Sequence, residues 1–195
     1  MVISRLGWVF FRFRSFTPVP LYIYLLITGT YDAILFIVGS LLIAIGESIR
    51  FISVGYIGKE SRVTDITAPI LMMSGPYAYV RNPIYTGNVL IYLGFTALSN
   101  CFLELLLPLV LIFFGFVYYS IVIYEESFLK QKFATVYEEY SQVTPRFVPR
   151  RMFHLAKSNQ LLSHFSAVSA LKSEQPTFVA LAVCYILFVL KFLLF

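Results

Sequence analysis

The residues best equipped for chemistry fall into three groups. The first is the stretch GPYAYVRNPIYTG, Gly75 to Gly87. Its Arg81-Asn82-Pro83 lies where an apolar run begins, and Pro83 has the fixed φ that suits the first position of a helix. The amides of that first turn lack carbonyl partners and carry the positive end of the helix dipole. Such an end receives a carboxylate or a phosphate. Tyr77, Tyr79 and Tyr85 add rings and hydroxyls, and Gly75 and Gly87 let a backbone or a ligand come close. The same composition also suits an interfacial belt, in which Tyr and Arg sit at the level of lipid headgroups.

The second group is Glu125-Glu126. Neighbours on a helix do not share a face, so one carboxylate can turn inward while the other meets solvent or a cation. A solvated helix margin is the plainer alternative. The third group is Glu47 and Arg50, three residues apart on one helix face, which reads as a structural ion pair that lowers the cost of both charges in an apolar setting. The chain has no Ser-His-Asp set, no HExxH, no P-loop and no GxGxxG, so a nucleotide-like cofactor must bind in another way. Cys101 and Cys184 have no His or Cys neighbours at ligand spacing, and no metal site is expected. His154 and His164 read as surface residues.

The elements that carry these groups must lie in a bilayer. The chain has 195 residues, of which 59% are hydrophobic and 13% charged; soluble domains have about 45–50% apolar and about 25% charged residues. Its mean hydropathy is +0.81. A water-soluble globule, a disordered chain and a secreted disulfide scaffold are excluded. The net charge of +5 reads as basic loops against anionic lipid rather than as a nucleic-acid footprint, because no basic run is interleaved with stacking aromatics.

Apolar runs predict an all-α integral membrane protein with about five transmembrane helices and cytoplasmic amphipathic helices. The runs are Val19 to Ile27, Tyr31 to Ile57, Ile84 to Leu98, Phe102 to Tyr124 and Pro176 to Phe195. The first is short and bounded by prolines and by Thr28-Gly29-Thr30, so a re-entrant segment is an alternative to a crossing. The third and fourth form a helical hairpin with a tight turn at Ser99-Asn100. Pro176 suits the start of the last helix, and Lys191 near its end can snorkel. With five spans, every Lys and Arg except Lys191 falls on one side, which the positive-inside rule makes the cytoplasm, together with the N-terminus. Arg5, Arg12 and Arg14 are not followed by a small-x-small cleavage site, which argues against a signal peptide. Phe128, Leu129, Phe133, Val136, Tyr137 and Tyr140 have helical spacing and extend the fourth span into the cytoplasm until Pro145 and Pro149. Leu161, Leu162, Phe165, Val168 and Leu171 form a second amphipathic stretch, expected to lie in the interface.

GPYAYVRNPIYTG at Gly75–Gly87 resembles the Gly-x-Tyr…Arg-His-Pro-x-Tyr-x-Gly signature of isoprenylcysteine carboxyl methyltransferases and phospholipid N-methyltransferases. Glu125-Glu126, the FATVYEEY stretch ending at Tyr140 and VTPRFVP at Val143–Pro149 resemble its second half. The likeness runs from about Ile45 to Arg150. It implies an integral membrane methyltransferase using S-adenosylmethionine at the cytoplasmic face, on a lipidic or prenylated acceptor, small molecule or protein, drawn from the bilayer. The resemblance places the cofactor against Pro69, Ile70, Leu71, Met72, Tyr77, Asn82, Pro83, Ile84, Tyr85 and Glu125, with Arg81, Glu125 and Glu126 as the catalytic set. On that reading residues 1–17 form a cytoplasmic segment, 18–150 the membrane methyltransferase-like core, 151–175 the interfacial segment and 176–195 a last span.

There is one departure. Asn82 stands where the family has His, and Asn neither carries a positive charge nor acts as a base near neutral pH. Within this reading Arg81 anchors an anionic acceptor or the cofactor carboxylate. A Glu of the pair holds the ribose hydroxyls or the sulfonium side. Glu126 or Tyr85 deprotonates an amine acceptor; a carboxylate acceptor needs no base. Two alternatives remain open. An NADPH-dependent sterol-type membrane reductase carries a similar Arg-His-Pro-x-Tyr motif, followed by an acidic residue where this chain has Asn88. A non-catalytic membrane protein is favoured by Asn82.

Overall fold

The computed structural model describes residues 2–58, 68–149 and 164–194. Among these there are six α-helices, one 3₁₀ turn and no strand. Lys59, Arg62, Arg150, Arg151, His154, Lys157, Leu161 and Leu162 lie outside the described residues. The helices are α1 (Val2–Phe13), α2 (Val19–Thr28), α3 (Ala33–Ile57), α4 (Pro83–Ser99), α5 (Leu103–Val143) and α6 (Ala167–Leu194), with the 3₁₀ turn Gly75–Ala78 before α4.

Three of these helices, α3, α5 and α6, are long and apolar enough to cross a membrane. They expose large apolar side chains, among them Ile34, Ile112 and Leu193 at 70–77%, as a lipid-facing surface does. The two other expected spans are shorter than the ~20 residues a crossing takes: α2 has 10 and α4 has 17. Prolines at their starts and turn residues at their ends limit both. Contacts between helix ends show α2 to α6 running alternately between two faces of the bundle. At one face Thr30 N–H donates to Ser99 O (2.8 Å) and Lys191 Nζ to Ile27 O (3.1 Å). At the other, Ser166 N–H donates to Gly55 O (2.9 Å) and Arg81 N–H to Pro145 O (2.8 Å).

The α3–α4 pair is the tightest contact in the bundle, and glycine makes it possible. Asp32 caps α3 by accepting from Leu35 N–H (2.9 Å). Farther along, Gly39 lies against Gly94 and Gly46 against Gly87, reciprocally. A Cβ on Gly46 would sit 2.6 Å from Gly87 O, and one on Gly39 would sit 2.5 Å from Gly94 O. The backbones therefore touch, in the manner of small-residue contacts between membrane helices. The hairpin turn between α4 and α5 is as tight as expected, with Asn100 (φ 49°) and Phe102 (φ 40°) both in the left-handed region.

Helix α5 is 41 residues long; the stretch before Ala134 alone runs about 45 Å at 1.5 Å per residue, half again the hydrocarbon core. The helix continues past Glu125, as the amphipathic pattern predicts, with Tyr137 and Tyr140 buried. Its regular geometry breaks at Ala134 (φ 41°). Helix α1 packs against the middle of α5 through Gly7 on Ser120 O, with Phe10 edge-on to Phe116.

The last helix differs from expectation at its start. It begins at Ala167, not at Pro176, which lies inside it. The physical reason is an anchor upstream of the proline: Phe165 packs on Gly55 and the rings of Phe51 and Tyr56, and Glu174 is buried against α3. The expected boundary at 175/176 therefore falls within a continuous helix. Lys191 donates to the C-terminal carbonyls of α2 at Ile27 and Gly29.

Candidate functional site

The start of α4 is assembled from three separate stretches. The segment after α5 returns to it: Arg81 N–H and Asn82 N–H donate to Pro145 O (2.8 Å) and Arg146 O (3.1 Å), and Asn82 Nδ2 also reaches Arg146 O (3.3 Å). Because the Asn82 side chain is turned that way, it makes no cap on its own helix, and the first-turn amides of Ile84 and Tyr85 have no side-chain cap among the described residues. The 3₁₀ turn is tied down separately, by Tyr140 Oη donating to Tyr77 O (2.6 Å). Gly75 (φ 61°) opens this turn, with the Tyr56 ring where a Cβ would stand.

Glu126 is the hub beneath this junction and is 5% exposed. It accepts from Arg81 Nη2 (2.8 Å) at Oε1 and from Arg146 Nε (3.1 Å) and Nη2 (2.8 Å) at Oε1 and Oε2. Arg81 Nη1 donates to Ser141 O (2.8 Å), and its guanidinium lies 5.9 Å from the centre of the Tyr137 ring. The Glu126 carboxylate raises the Arg146 guanidinium above its ordinary value, first through the hydrogen bonds and then by its charge. Two arginines therefore share one carboxylate: the buried Arg81 and Glu126 charges offset each other, and the second cation, Arg146, is exposed enough to be solvated. Both terminal nitrogens of Arg81 and both oxygens of Glu126 are spent within this cluster.

Glu125 faces another way. Its Oε1 accepts from Tyr85 Oη (2.7 Å), and the Tyr85 ring stacks on Tyr118 with centroids 4.7 Å apart. Burial pushes the Glu125 carboxyl up to about 7, against the opposing effects of the Tyr85 hydroxyl and of Arg14, just past the end of α1. Neighbouring positions on one helix thus serve different tasks, as adjacent positions must.

Most of these groups, though not Arg146 or Tyr118, line one cavity of about 720 Å³. Its wall includes Pro69, Ile70, Leu71 and Met72 from the loop before the 3₁₀ turn, then Tyr77, Arg81, Asn82, Pro83, Ile84, Tyr85, Glu125 and Glu126. Every residue expected at the site is brought together there. Tyr79, offered by the sequence as a further ring, lies outside it and is 42% exposed. Three polar atoms of wall residues are buried with no hydrogen-bond partner among the described residues, Tyr77 Oη and Arg81 Nε here and Arg50 Nε deeper in the bundle. Burial, with Tyr140 and then Glu125 adding to it, pushes the Tyr77 phenol well above its ordinary value, so it stays protonated and can donate.

The cavity continues past the motif residues into the bundle, where sequence reasoning missed most of its wall. Arg50 was expected to pair with Glu47, and it does, with Nε 3.4 Å from Glu47 Oε2. Its closer partner is Glu174 on α6, both of whose oxygens are 2.8 Å from Arg50 Nη2. Arg50 also donates to Asn88 Oδ1 and to Thr177 Oγ1 (3.2 Å). Glu174 carried a signal in the sequence, an acid two residues before an apolar run, but nothing local to it named a partner 124 residues away. The far wall, from Phe11, Pro18, Val19 and Tyr22 on one side and Pro176, Ala180, Leu181 and Cys184 on the other, is mainly apolar.

The phospholipid methyltransferase family model matches residues 34–136, from the start of α3 to beyond the Glu125-Glu126 pair. The cobalt-zinc-cadmium resistance protein CzcN of Cupriavidus metallidurans is 31% identical over 114 residues, covering 58% of this chain and 50% of that protein. The chain spans about half the length of this curated relative. No solved structure matches.

Proposed function

Because the chain belongs to the phospholipid methyltransferase family, we propose that it transfers a methyl group from S-adenosylmethionine to an amphiphilic amine held in the bilayer. Membership by itself points to a membrane methyltransferase; the cofactor and the acceptor are the proposal. The observation that carries it is the unsatisfied wall at the start of α4. There a buried, protonated Tyr77 phenol, with no partner among the described residues, stands in the same cavity as the start of α4, whose Ile84 and Tyr85 amides no Asn82 side chain caps, and the Glu125 carboxyl. The cavity volume lies within the ~300–1,000 Å³ of small-molecule sites. These residues fit a ligand bearing a carboxylate, a cation and hydroxyls.

When bound, S-adenosylmethionine supplies an electrophilic methyl whose C–S bonding pair stays on sulfur as the acceptor's lone pair takes the carbon. The chain's task is then alignment and exclusion of water. The Ile84 and Tyr85 amides receive a carboxylate at the positive end of α4. Tyr77 donates to a ligand oxygen. Glu125, oriented by Tyr85, lies against the positive charge, and its second oxygen takes the proton that an amine acceptor releases. Arg81, Glu126 and Arg146 form the frame that locks α4, α5 and the segment after α5 around the cofactor. Asn82 belongs to that frame through Arg146 O, a hydrogen-bonding task that needs no positive charge and therefore tolerates Asn in place of His. The apolar wall accepts the hydrocarbon part of the acceptor.

The test is calorimetric titration of the purified protein in mild detergent with S-adenosylmethionine and, in parallel, NADPH. Saturable binding of the first is expected, weakened at least roughly tenfold in Glu125→Gln, as for loss of a charge-assisted contact. A folded wild-type protein that leaves S-adenosylmethionine unbound refutes the proposal, and NADPH binding in its place moves the protein to the reductases.

A further inference from the structure

We propose that the Tyr92 hydroxyl is a hydrogen-bond donor reserved for an uncharged oxygen of the acceptor, an ester carbonyl of a glycerophospholipid, at the deep end of the cavity. The inference rests on the methyltransferase reading for the existence of an acceptor. Its own support is the direction of a chain of hydrogen bonds.

Arginine has donors only. Arg50 bonds Asn88, so the Asn88 atom it meets is the carbonyl oxygen, and Asn88 Nδ2 is turned to the Tyr118 hydroxyl (3.0 Å). The Tyr118 and Tyr92 hydroxyls lie 2.8 Å apart and share one proton between them. Tyr118 is 2% exposed and has no place in the cavity wall, whereas Tyr92 is part of that wall. If Tyr92 donated to Tyr118, the Tyr118 proton would be buried with no acceptor among the described residues, and a buried donor left unmade costs more than a paired one gains. Tyr118 therefore donates to Tyr92, and the Tyr92 proton is left for whatever enters the cavity. Glu174 sets this direction from a distance, holding the Arg50 guanidinium with both oxygens from α6, a helix outside the family-matched residues.

The surroundings select the class of oxygen. Two carboxylates, Glu47 and Glu174, accompany one guanidinium here, so an anion meets excess negative charge. An amine meets a donor in Tyr92. An uncharged carbonyl oxygen suffers neither penalty. The spacing agrees: Tyr85 and Tyr92 are two turns apart on α4, about 10 Å along its axis. An extended glycerophospholipid headgroup covers such a span between its amine and its ester carbonyls. The amine would then stand at Glu125 and the ester at Tyr92, within one cavity.

The test compares binding of 1-acyl lysophosphatidylethanolamine with that of its 1-O-alkyl ether counterpart of equal chain length. The full chain is used in detergent, with S-adenosylmethionine affinity and thermal melting followed on the same samples. The wild-type protein should bind the ester about fivefold more tightly, the factor of one neutral hydrogen bond, and Tyr92→Phe should bring the ratio to about one. Asn88→Asp leaves Tyr92 untouched and still accepts from Arg50, but its second oxygen can only accept. Tyr118 then donates to it, Tyr92 donates to Tyr118, and the ester preference should vanish although the Tyr92 side chain itself is unchanged. Equal affinity for the two lipids in the wild type, a preference that survives in both variants, or no binding of either lipid overturns the proposal. An intact ester preference without S-adenosylmethionine binding refutes the methyltransferase reading and leaves the Tyr92 site standing.

Discussion

Replacing Glu126 by alanine removes the carboxylate that Arg81 and Arg146 share, and the structure sets the size of the effect. The Arg81 and Glu126 side chains are 9% and 6% exposed. Removing one member of so desolvated a pair costs about 3–5 kcal/mol, chiefly because the other charge stays buried. The Arg146 contact is weaker, since its side chain is 38% exposed and solvent screening holds such a pair to about 0–1 kcal/mol. Arg81 retains Ser141 O and the Tyr137 ring, which offset part of the loss. The expected total is therefore about 3 kcal/mol, or roughly 10 °C in melting temperature at about 2–4 °C per kcal/mol for a chain of this size. The assay is thermal unfolding in mild detergent of Glu126→Ala, Arg81→Ala and the double variant. The double variant should be no less stable than Glu126→Ala, because no buried charge is then left alone, and the cycle should show a coupling of at least about 1 kcal/mol. A Glu126→Ala protein that melts within about 2 °C of wild type, or strictly additive losses, refutes the reasoning.

Three further outcomes follow from the geometry. Tyr77→Phe removes a buried hydroxyl that has no partner, so the ligand-free protein should be unchanged or more stable by up to about 1 kcal/mol, while S-adenosylmethionine affinity falls about fivefold; a less stable ligand-free protein with unchanged affinity would show that the hydroxyl serves the fold. Gly46→Leu places a side chain where Gly87 O lies 2.6 Å from the first added atom, forcing α3 and α4 apart. It should abolish the folded state in size-exclusion chromatography, whereas Gly115→Leu, which meets nothing, should not. Glu174→Ala should cost about 3 kcal/mol by leaving the buried Arg50 with weaker partners. Glu174→Ala combined with Arg50→Met should recover most of it in the same melting assay, and no recovery would mean that the pair is not what joins α6 to α3.

Much of the site could be read along the chain. Tyr77, Arg81 to Tyr85 and the Glu125-Glu126 pair do meet around one cavity, since a turn followed by Pro83 starts a helix locally and sets these residues at its first turn. The extension of α5 past the bilayer was equally visible, because its apolar positions keep a 3.6-residue period as far as Tyr140. Less visible was the division of labour inside the pair. Which of two adjacent carboxylates turns to a tyrosine and which to two arginines depends on how α5 is rotated against α4, and one sequence carries no record of that rotation.

The amino-acid sequence by itself determined the apolar setting, the long apolar helices α3 and α5 and the place of the motif, but not α1 or the start of α6, because hydropathy, helical period and turn chemistry act over a few residues and need no partner. Tertiary structure alone decided the rest. It paired Arg50 with Glu174 across 124 residues, set Gly46 against Gly87, placed Lys191 on the end of α2 and carried the last helix through Pro176. Each of these is a contact between elements, and its energy depends on distance and desolvation that exist only once the helices have packed.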